Sequence, residues 1–163
     1  NPDLVVISYQ GDGDLAAIGT AETIHAANRG EAITVIFVNN QIYGMTGGQM
    51  APTTLPGQRA TSCPEGRDVS TMGHPLPVAE LIATLAAPAY VTRQSLHDPR
   101  HVAQATKAIE KALRYQVEGK GYSLVEILAT CPTGWRMPPA AAHQHVADVV
   151  TGAFPLGDLV DRG

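Results

Sequence analysis

The sequence has few of the features that mark secreted or membrane-spanning proteins. It contains two cysteines among 163 residues, Cys63 and Cys131, which are too few for a disulfide framework. We therefore expect two reduced thiols in a cytoplasmic protein. No apolar run approaches the ~20 residues of a membrane-spanning helix, and no secretory signal peptide is recognisable.

Charge is also sparse and evenly spread. Charged residues make up 16% of the chain, the net charge is −4, and no long block of either sign occurs. This composition predicts neither a nucleic-acid-binding surface nor a membrane-binding one. Of the six histidines, only His143 and His145 have a spacing that suggests metal binding, and we interpret that pair as solvent-facing.

The rest of the composition is typical of a globular protein. Hydrophobic residues make up 44% of the chain, which fits one domain over residues 1–163. A chain of this size buries roughly 70% of its unfolded surface, which is enough for a hydrophobic core. Because residue 1 is Asn and a strand begins almost at once, we expect that an N-terminal segment of the protein precedes this chain.

Segments with strand and helix patterns alternate along the chain. Short apolar segments predict strands at residues 4–8 (a buried strand), 33–40, 89–95 and 122–130. Helices are predicted at residues 14–29, with Leu15, Ile18 and Ile24 on one face, at 77–86, and from Pro99, with Asp98 as the cap. Residues 41–75 predict a long functional loop, and the tail at 136–163 is weakly patterned. This order predicts an α/β fold, a parallel sheet with helices on both faces.

The stretch GDGD, residues 11–14, follows the first predicted strand. Two glycines between a strand and a helix are typical of a phosphate-binding loop, but the carboxylate of Asp12 has the wrong charge for a phosphate. A dinucleotide-binding module is one interpretation, because Gly11, Gly13 and Ala16 match a loose G-x-G-x-x-A pattern. That interpretation lacks the acidic residue that should hold the ribose, since the second strand ends in two asparagines.

A magnesium ion between Asp12 and a phosphate would resolve the conflict. Mg²⁺ is commonly bound by one or two carboxylates together with phosphate oxygens and water. A second oxygen ligand is available at the end of the next strand, from Asn39 or Asn40. Ligands of parallel sheets bind at the carboxyl ends of the strands, so we expect residues 11–14, 39–49 and 130–135 to converge there.

The motif GDG followed at this distance by NN resembles the thiamine diphosphate motif of thiamine diphosphate-dependent enzymes. The likeness extends over four longer or additional stretches: GDGDLAAIGTAE, VIFVNNQIYGMTGGQMAPTT, GRD and CPTGW. Up to about Arg136, the chain resembles the β subunit of 2-oxoacid:ferredoxin oxidoreductases, especially the 2-oxoisovalerate and 2-oxoglutarate members. A carboligase of the acetolactate synthase type is an alternative, against which TGGQ and CPTGW argue.

This resemblance implies a thiamine diphosphate-binding fold and a set of cofactor ligands. The Mg²⁺ ligands would be Asp12, the side chain of Asn40 and the backbone carbonyl of Ile42, while Asn39 is interpreted as structural. The residues implied to contact thiamine diphosphate are Gly11, Asp12, Gly13, Asp14, Asn40, Ile42, Met45, Thr46 and Gly47. The stretch Thr46 to Gln49 would close over the cofactor, with Ile42 and Met45 near its thiazolium ring.

The implied reaction is oxidative decarboxylation of a 2-oxoacid to an acyl-CoA, with electrons passing to iron–sulfur clusters and ferredoxin. The implied partners are α subunits, with γ or δ subunits as further candidates, together with ferredoxin and CoA. The resemblance implies no catalytic residue in this chain alone, because the glutamate that activates the cofactor comes from another subunit. We therefore expect no 2-oxoacid oxidation by this chain without its partners.

Two further expectations come from the same resemblance. Cys131 would be the last of four ligands to a [4Fe–4S] cluster whose other three cysteines lie upstream of the GDG strand, whereas Cys63 has no implied role. Members that act on 2-oxoglutarate often carry a lysine at the position of Gly47. The absence of a cation there favours a branched or otherwise apolar 2-oxoacid.

Overall fold

The computed structural model describes residues 4–163; residues 1–3, at the start of the predicted domain, lie outside the described residues. One sheet of five strands has the order β1-β2-β6-β5-β7, and β3 and β4 form a separate hairpin. The strands are β1 (Ile7–Gly11), β2 (Thr34–Asn39), β3 (Ile42–Tyr43), β4 (Gln49–Met50), β5 (Tyr90–Ser95), β6 (Ser123–Leu128) and β7 (Gly157–Asp161).

Helices connect these strands. The α-helices are α1 (Thr20–Arg29), α2 (Val69–Met72), α3 (Val78–Ala83), α4 (Pro99–Val117), α5 (Pro132–Trp135), α6 (Pro139–His145) and α7 (Thr151–Ala153). Two π-helical turns, Asp14–Ile18 and Val146–Val150, precede α1 and α7. Within residues 4–163, no helix is both long and apolar enough to cross a membrane.

The predicted fold class is confirmed. Strands β1, β2, β6 and β5 are parallel, and only β7 runs antiparallel to its neighbour β5. Successive side chains of a strand point to opposite faces of the sheet, so Phe37 packs with α1 and α3 while Ile36 packs with α4. Helices therefore cover both faces of the central strands, as the alternation of elements predicted.

The prediction of a buried first strand at residues 4–8 is wrong. The strand is Ile7–Gly11, and the apolar side chains of Leu4, Val5, Val6 and Ile7 are each at least 47% exposed. The reason is topological, because β1 is an edge strand that pairs on one side only, with β2. An apolar run shows that a strand forms, but it does not show where in the sheet that strand lies.

The helix predicted at residues 14–29 is divided in two. It opens with the π-helical turn, and α1 begins only after Gly19. Ile18 is 89% exposed whereas Leu15 is buried, so the predicted common face is wrong; the wider π turn changes the direction of successive side chains. Gly19 approaches the carbonyl oxygen of Asp14 so closely that a Cβ atom would lie 2.6 Å from it.

The long segment 41–75 is ordered and largely packed against the end of the sheet. It contains the β3–β4 hairpin and α2, joined by irregular backbone. The buried side chain of Arg67 donates hydrogen bonds to six backbone carbonyls between residues 51 and 74. A single guanidinium thus replaces the regular hydrogen bonds that this segment lacks.

The tail from residue 136 has more structure than its weak pattern predicted. Ala142, Val146 and Val150, spaced four residues apart, are fully buried against the end of the sheet in a cluster that includes Trp135. The chain then adds β7 as the edge strand beside β5. The helices of the tail are short, which hid their apolar stripe among neighbouring alanines.

Candidate functional site

The site lies where β1 and β2 end side by side. Because the two strands are parallel and Gly11 is paired with Val38, Asp12 emerges next to the residues that follow β2. The third stretch reaches the same place, since the indole Nε1 of Trp135 donates a hydrogen bond of 2.9 Å to the carbonyl of Asn40. The three loops predicted to converge are therefore together at the carboxyl edge of the sheet.

Asp12 is the charged centre of this site. Its side chain is buried, and Oδ2 accepts hydrogen bonds from the backbone N–H of Ile42 at 3.1 Å and from the hydroxyl of Thr53 at 3.4 Å. Burial raises the pKa of Asp12 to about 6, and the N–H of Ile42 partly opposes that effect. No Lys, Arg or His among residues 4–163 forms an ion pair with this carboxylate. A buried carboxylate without a cationic partner is a suitable ligand for a metal ion.

Asn40 brings a second oxygen to the same point. Its Oδ1 lies 3.3 Å from the backbone nitrogen of Ile42, so the side chains of Asp12 and Asn40 converge on one N–H group. A carboxylate and an amide oxygen are hard donors of the kind that Mg²⁺ prefers. The residues present therefore fit a bound Mg²⁺, with the carbonyl of Ile42 on the same segment as a third available donor.

Gln41, which the sequence analysis did not single out, directs the backbone of this segment. It is fully buried and has a φ of 58°, in the left-handed region that few residues other than glycine adopt. Its backbone N–H and its Nε2 donate to Oδ1 of Asn39 at 3.2 and 2.9 Å. The left-handed backbone at Gln41 turns the chain so that the N–H of Ile42 faces Asp12.

Asn39 is in turn held by a buried ion pair below the site. Its Nδ2 donates a hydrogen bond of 2.7 Å to Glu126, whose other oxygen lies 2.9 Å from Nε of Arg93. Arg93 also pairs with Glu80 of α3. Asn39, Arg93 and Glu126 are fully buried, so Asn39 has the structural role that the sequence analysis expected for it.

The two glycines of the GDGD stretch differ in how closely neighbouring atoms pack against them. Gly13 lies under the ring of Tyr43, and a Cβ atom there would come within 3.3 Å of it. A Cβ atom on Gly11 would meet no heavy atom within 4 Å, and its backbone N–H donates to the carboxylate of Asp14 at 3.3 Å. Close packing thus explains Gly13, whereas nothing in the structure explains Gly11.

The TGGQ stretch forms the tip of the β3–β4 hairpin. Thr46 and Gln49 hold the tip by two hydrogen bonds, of 2.7 and 2.8 Å, and Gly47 has a φ of 117°. The side chain of Met45 is fully exposed, whereas Ile42 is fully buried at the base of the hairpin. The structure therefore places the two side chains in different surroundings, because Ile42 begins β3 whereas Met45 lies in the turn after it.

Sequence reasoning also missed Thr53. It follows β4 in the stretch APTT, it is fully buried, and its hydroxyl donates to the Asp12 carboxylate. Adjacent threonines in a long loop were the available clue, because a hydroxyl buried in irregular backbone needs a hydrogen-bond partner.

Cys131 lies beside the hairpin. Its Sγ fits between Gly44 and Gly134, where a Cβ atom on either glycine would come within 2.9 or 2.8 Å of the sulfur. Cys63 is buried elsewhere in the same apolar cluster, and its thiol is 3.7 Å from the carbonyl of Gln58. A [4Fe–4S] cluster needs four ligands, so the residues present do not by themselves fit one, and the cluster role of Cys131 stays a prediction.

A cavity of about 410 Å³ adjoins the site through Trp135, which lines the cavity and bonds to the carbonyl of Asn40. Two arginines give it a positive lining, and it reaches the base of the hairpin because Gly134 contacts both Ile42 and Cys131. Its lining residues are Arg59, Ala60, Thr61, Pro64, Gly134, Trp135 and Arg136.

Comparison with known proteins gives one consistent result. Residues 1–127 match the family described as thiamine pyrophosphate enzyme, C-terminal TPP binding domain. The chain is 51% identical over 160 residues to ketoisovalerate oxidoreductase subunit VorA of Methanothermobacter thermautotrophicus, covering 98% of this chain and 34% of the relative. It is 38% identical over 147 residues to 2-oxoglutarate synthase subunit KorB of Archaeoglobus fulgidus, covering 90% of this chain and 51% of the relative.

A solved structure shows the same fold. The 2-oxoglutarate:ferredoxin oxidoreductase of Magnetococcus marinus, with 2-oxoglutarate, coenzyme A and succinyl-CoA bound, superposes with a TM-score of 0.72 at 25% identity, over 100% of this chain and 58% of that one. The resemblance predicted from the motifs is confirmed by these similarities. The chain spans about a third of the length of the VorA relative and about half of the KorB relative.

Proposed function

Because the chain belongs to the family of C-terminal TPP-binding domains of thiamine pyrophosphate enzymes, we propose that it is the cofactor-binding part of a 2-oxoacid:ferredoxin oxidoreductase. The observation that carries the proposal is the convergence of Asp12 and Asn40 on the N–H of Ile42 at the end of two parallel strands. The similarity to VorA and KorB supports the reaction class.

Asp12, Asn40 and the carbonyl of Ile42 would hold Mg²⁺, and the diphosphate of the cofactor would lie against the loop Gly11–Asp14. Asp12 supplies the negative charge, while Asn39 and Gln41 fix the backbone that carries the other two ligands. Met45, Thr46 and Gly47 would approach the cofactor from the exposed hairpin tip. Bound thiamine diphosphate would supply the nucleophile and electron sink for decarboxylating a 2-oxoacid.

Completion of the reaction depends on partner subunits in this proposal. The site lies at the carboxyl edge of the sheet, next to the edge strand β1. The groups of this chain that contact the Asp12 carboxylate are the N–H of Ile42 and the hydroxyl of Thr53, which position it. Electron transfer to ferredoxin would use a [4Fe–4S] cluster for which Cys131 provides one thiolate. In the full-length protein, Cys131→Ser should make that cluster labile, and a cluster indifferent to the change would remove this role from Cys131.

The substrate is proposed to be a branched or otherwise apolar 2-oxoacid. The hairpin tip carries Gly47 where a cation would pair with a distal carboxylate, and the 51% identity to a ketoisovalerate oxidoreductase subunit supports this choice. Arg59 and Arg136 lie in the neighbouring cavity and are the cations that a dicarboxylate would use instead. The test is to measure kcat/KM for 2-oxoisovalerate and for 2-oxoglutarate with the assembled enzyme. A higher value for 2-oxoglutarate, the dicarboxylate, would overturn the assignment of an apolar substrate.

The direct test is cofactor binding by Asp12→Asn in the assembled protein. Asparagine keeps the shape of the side chain but removes the charge that binds Mg²⁺, so we expect a large loss of Mg²⁺-dependent thiamine diphosphate affinity by calorimetry. Asp148→Asn, on the exposed face of the tail, is the control. Unchanged affinity in Asp12→Asn would contradict the metal assignment. Binding of NAD in place of thiamine diphosphate would favour a dinucleotide-binding module, and acetolactate formation from pyruvate would favour a carboligase.

A further inference from the structure

A second cluster of metal-binding side chains lies at the corner between β5 and α4. His97, Asp98 and His101 each offer one ligand atom, and these three atoms lie within 4.8 Å of one another. His97 precedes α4, Asp98 is its N-cap and His101 lies in its first turn, so no single periodicity in the sequence marks the three residues as a group.

Asp98 contacts both histidines of the group. Nε2 of His97 is 3.4 Å from one oxygen of Asp98, and Nδ1 of His101 is 2.8 Å from the other. The two imidazole rings lie side by side, with their centroids 4.0 Å apart and their planes tilted by 36°. Nδ1 of His101 is buried, and the Asp98 oxygen 2.8 Å away is not aligned for a hydrogen bond, so this nitrogen has no hydrogen-bond partner among the described residues. A metal ion would take both atoms as ligands in place of this contact.

The far side of His97 is held by a buried hydroxyl. Oγ of Ser95, a fully buried residue at the end of β5, is 2.8 Å from Nδ1 of His97. With the proton on Nδ1, the lone pair of Nε2 faces Asp98. Histidines that bind metals typically donate their other ring N–H in this way, because the hydrogen bond fixes both the tautomer and the ring orientation.

We propose that His97, Asp98 and His101 form a binding site for a divalent transition-metal ion such as Zn²⁺, separate from the Asp12 site. Two imidazoles and one carboxylate are a typical ligand set for zinc, whereas Mg²⁺ prefers oxygen ligands alone. The N-terminus of α4 disfavours a cation, and the carboxylate of Asp98 supplies the opposing charge. A bound ion would hold the loop after β5 and the first turn of α4 together at the carboxyl edge of the sheet.

The side chains are accessible enough for an ion to enter. His97 is 12% exposed, His101 is 23% exposed and Asp98 is 42% exposed, so the cluster is neither sealed in the core nor spread over the open surface. Asp98 also accepts the backbone N–H of His101 as the helix cap, at 2.8 Å, which holds the carboxylate in place before any ion arrives.

The test is metal titration of the protein with its partner subunits after removal of bound metals with a chelator. We expect one Zn²⁺ per chain by calorimetry, and visible absorption from Co²⁺ bound to nitrogen and oxygen without thiolate charge-transfer bands. His97→Ala and His101→Ala should each abolish this binding. Ser95→Ala, which removes only the hydrogen bond to His97, should weaken it by roughly 10- to 100-fold.

Matched controls separate this site from other metal-binding groups. His25→Ala, which changes an exposed histidine on α1, should leave the stoichiometry unchanged. Far-ultraviolet circular dichroism and Mg²⁺–thiamine diphosphate affinity should match the wild type in every histidine variant, which excludes loss of the fold. The proposal is overturned if no Zn²⁺ binds, if binding survives His97→Ala or His101→Ala, or if His25→Ala removes it.

Discussion

The side-chain amide of Asn39 donates a 2.7 Å hydrogen bond to the carboxylate of Glu126, 87 residues later in the chain. This bond joins the end of β2, where the candidate Mg²⁺ ligands converge, to an ion pair with Arg93 in the interior of the sheet. The geometry of the loop that carries Asn40 and Ile42 therefore depends on charges buried below it.

Glu126→Ala should strongly destabilise the protein. The change leaves the guanidinium of Arg93, which is fully buried, without its buried partner, and breaking such a pair costs about 3 to 5 kcal/mol. Urea denaturation measures this loss in the free energy of unfolding. Glu110→Ala, an exposed glutamate on α4, is the control. A loss no larger than that of the control would show that the buried pair contributes nothing.

Substitutions of Gln41 should separate backbone strain from side-chain hydrogen bonding. Gln41→Gly loses the two side-chain hydrogen bonds to Asn39 but relieves the left-handed backbone, which costs other residues about 1 to 2 kcal/mol. Gln41→Val loses the same bonds, keeps the strain and adds a β-branched side chain. We expect Mg²⁺–thiamine diphosphate affinity, measured by calorimetry, to fall further in Gln41→Val. Equal losses would mean that the backbone conformation of Gln41 does not matter to the site.

The contact between Gly44 and Cys131 predicts a coupled pair of substitutions. The Cβ atom of Gly44→Ala would lie 2.9 Å from the sulfur and near no other heavy atom, so we expect a destabilisation of about 1 to 3 kcal/mol. Combining it with Cys131→Ala should restore most of that loss, which a double-mutant cycle measures as a non-additive free energy.

Gly152→Ala is the control for this pair, because a Cβ atom there meets nothing within 4 Å. It should be neutral or slightly stabilising, since alanine is the better helix former. If the free-energy changes of Gly44→Ala and Cys131→Ala were fully additive, the two positions would not be in close contact in solution.

The tail strand should loosen in acid through Asp161. Hydrogen bonds from Lys111 and then Tyr115, both on α4, hold the pKa of Asp161 below its usual range. A lowered folded pKa stabilises the protein at neutral pH, and that stabilisation is lost as the pH falls below about 4. Asp161→Asn should therefore be less stable than wild type at pH 7, and the difference should shrink at pH 3.

Melting temperatures between pH 7 and pH 3 measure this effect. Asp148→Asn is the control, because within residues 4–163 the Asp148 carboxylate accepts a side-chain hydrogen bond from Gln144 alone, in the same helical segment. A constant difference between wild type and Asp161→Asn over the whole range would contradict a role for the Asp161 charge in holding β7.

Local patterns in the sequence determined where the central elements and the core of the site lie. Gly11 to Asp14 and Asn39 to Asn40 follow apolar segments one strand–helix–strand unit apart, and parallel strands place such positions at one edge of a sheet. The cap at Asp98 was equally predictable, because a capping residue before Pro99 depends only on the adjacent backbone.

Features that depend on distant partners were decided only by the tertiary structure. The apolar run at residues 4–8 could have been a central strand, and its position at the edge followed from how the sheet assembles. The weakly patterned tail became the antiparallel strand β7 because β5 had a free edge beside it. Glu126 joined the site through a hydrogen bond to Asn39 that crosses from β6 to the neighbouring strand β2. Such contacts have no periodic signature, since they arise when strands far apart in the chain are brought side by side.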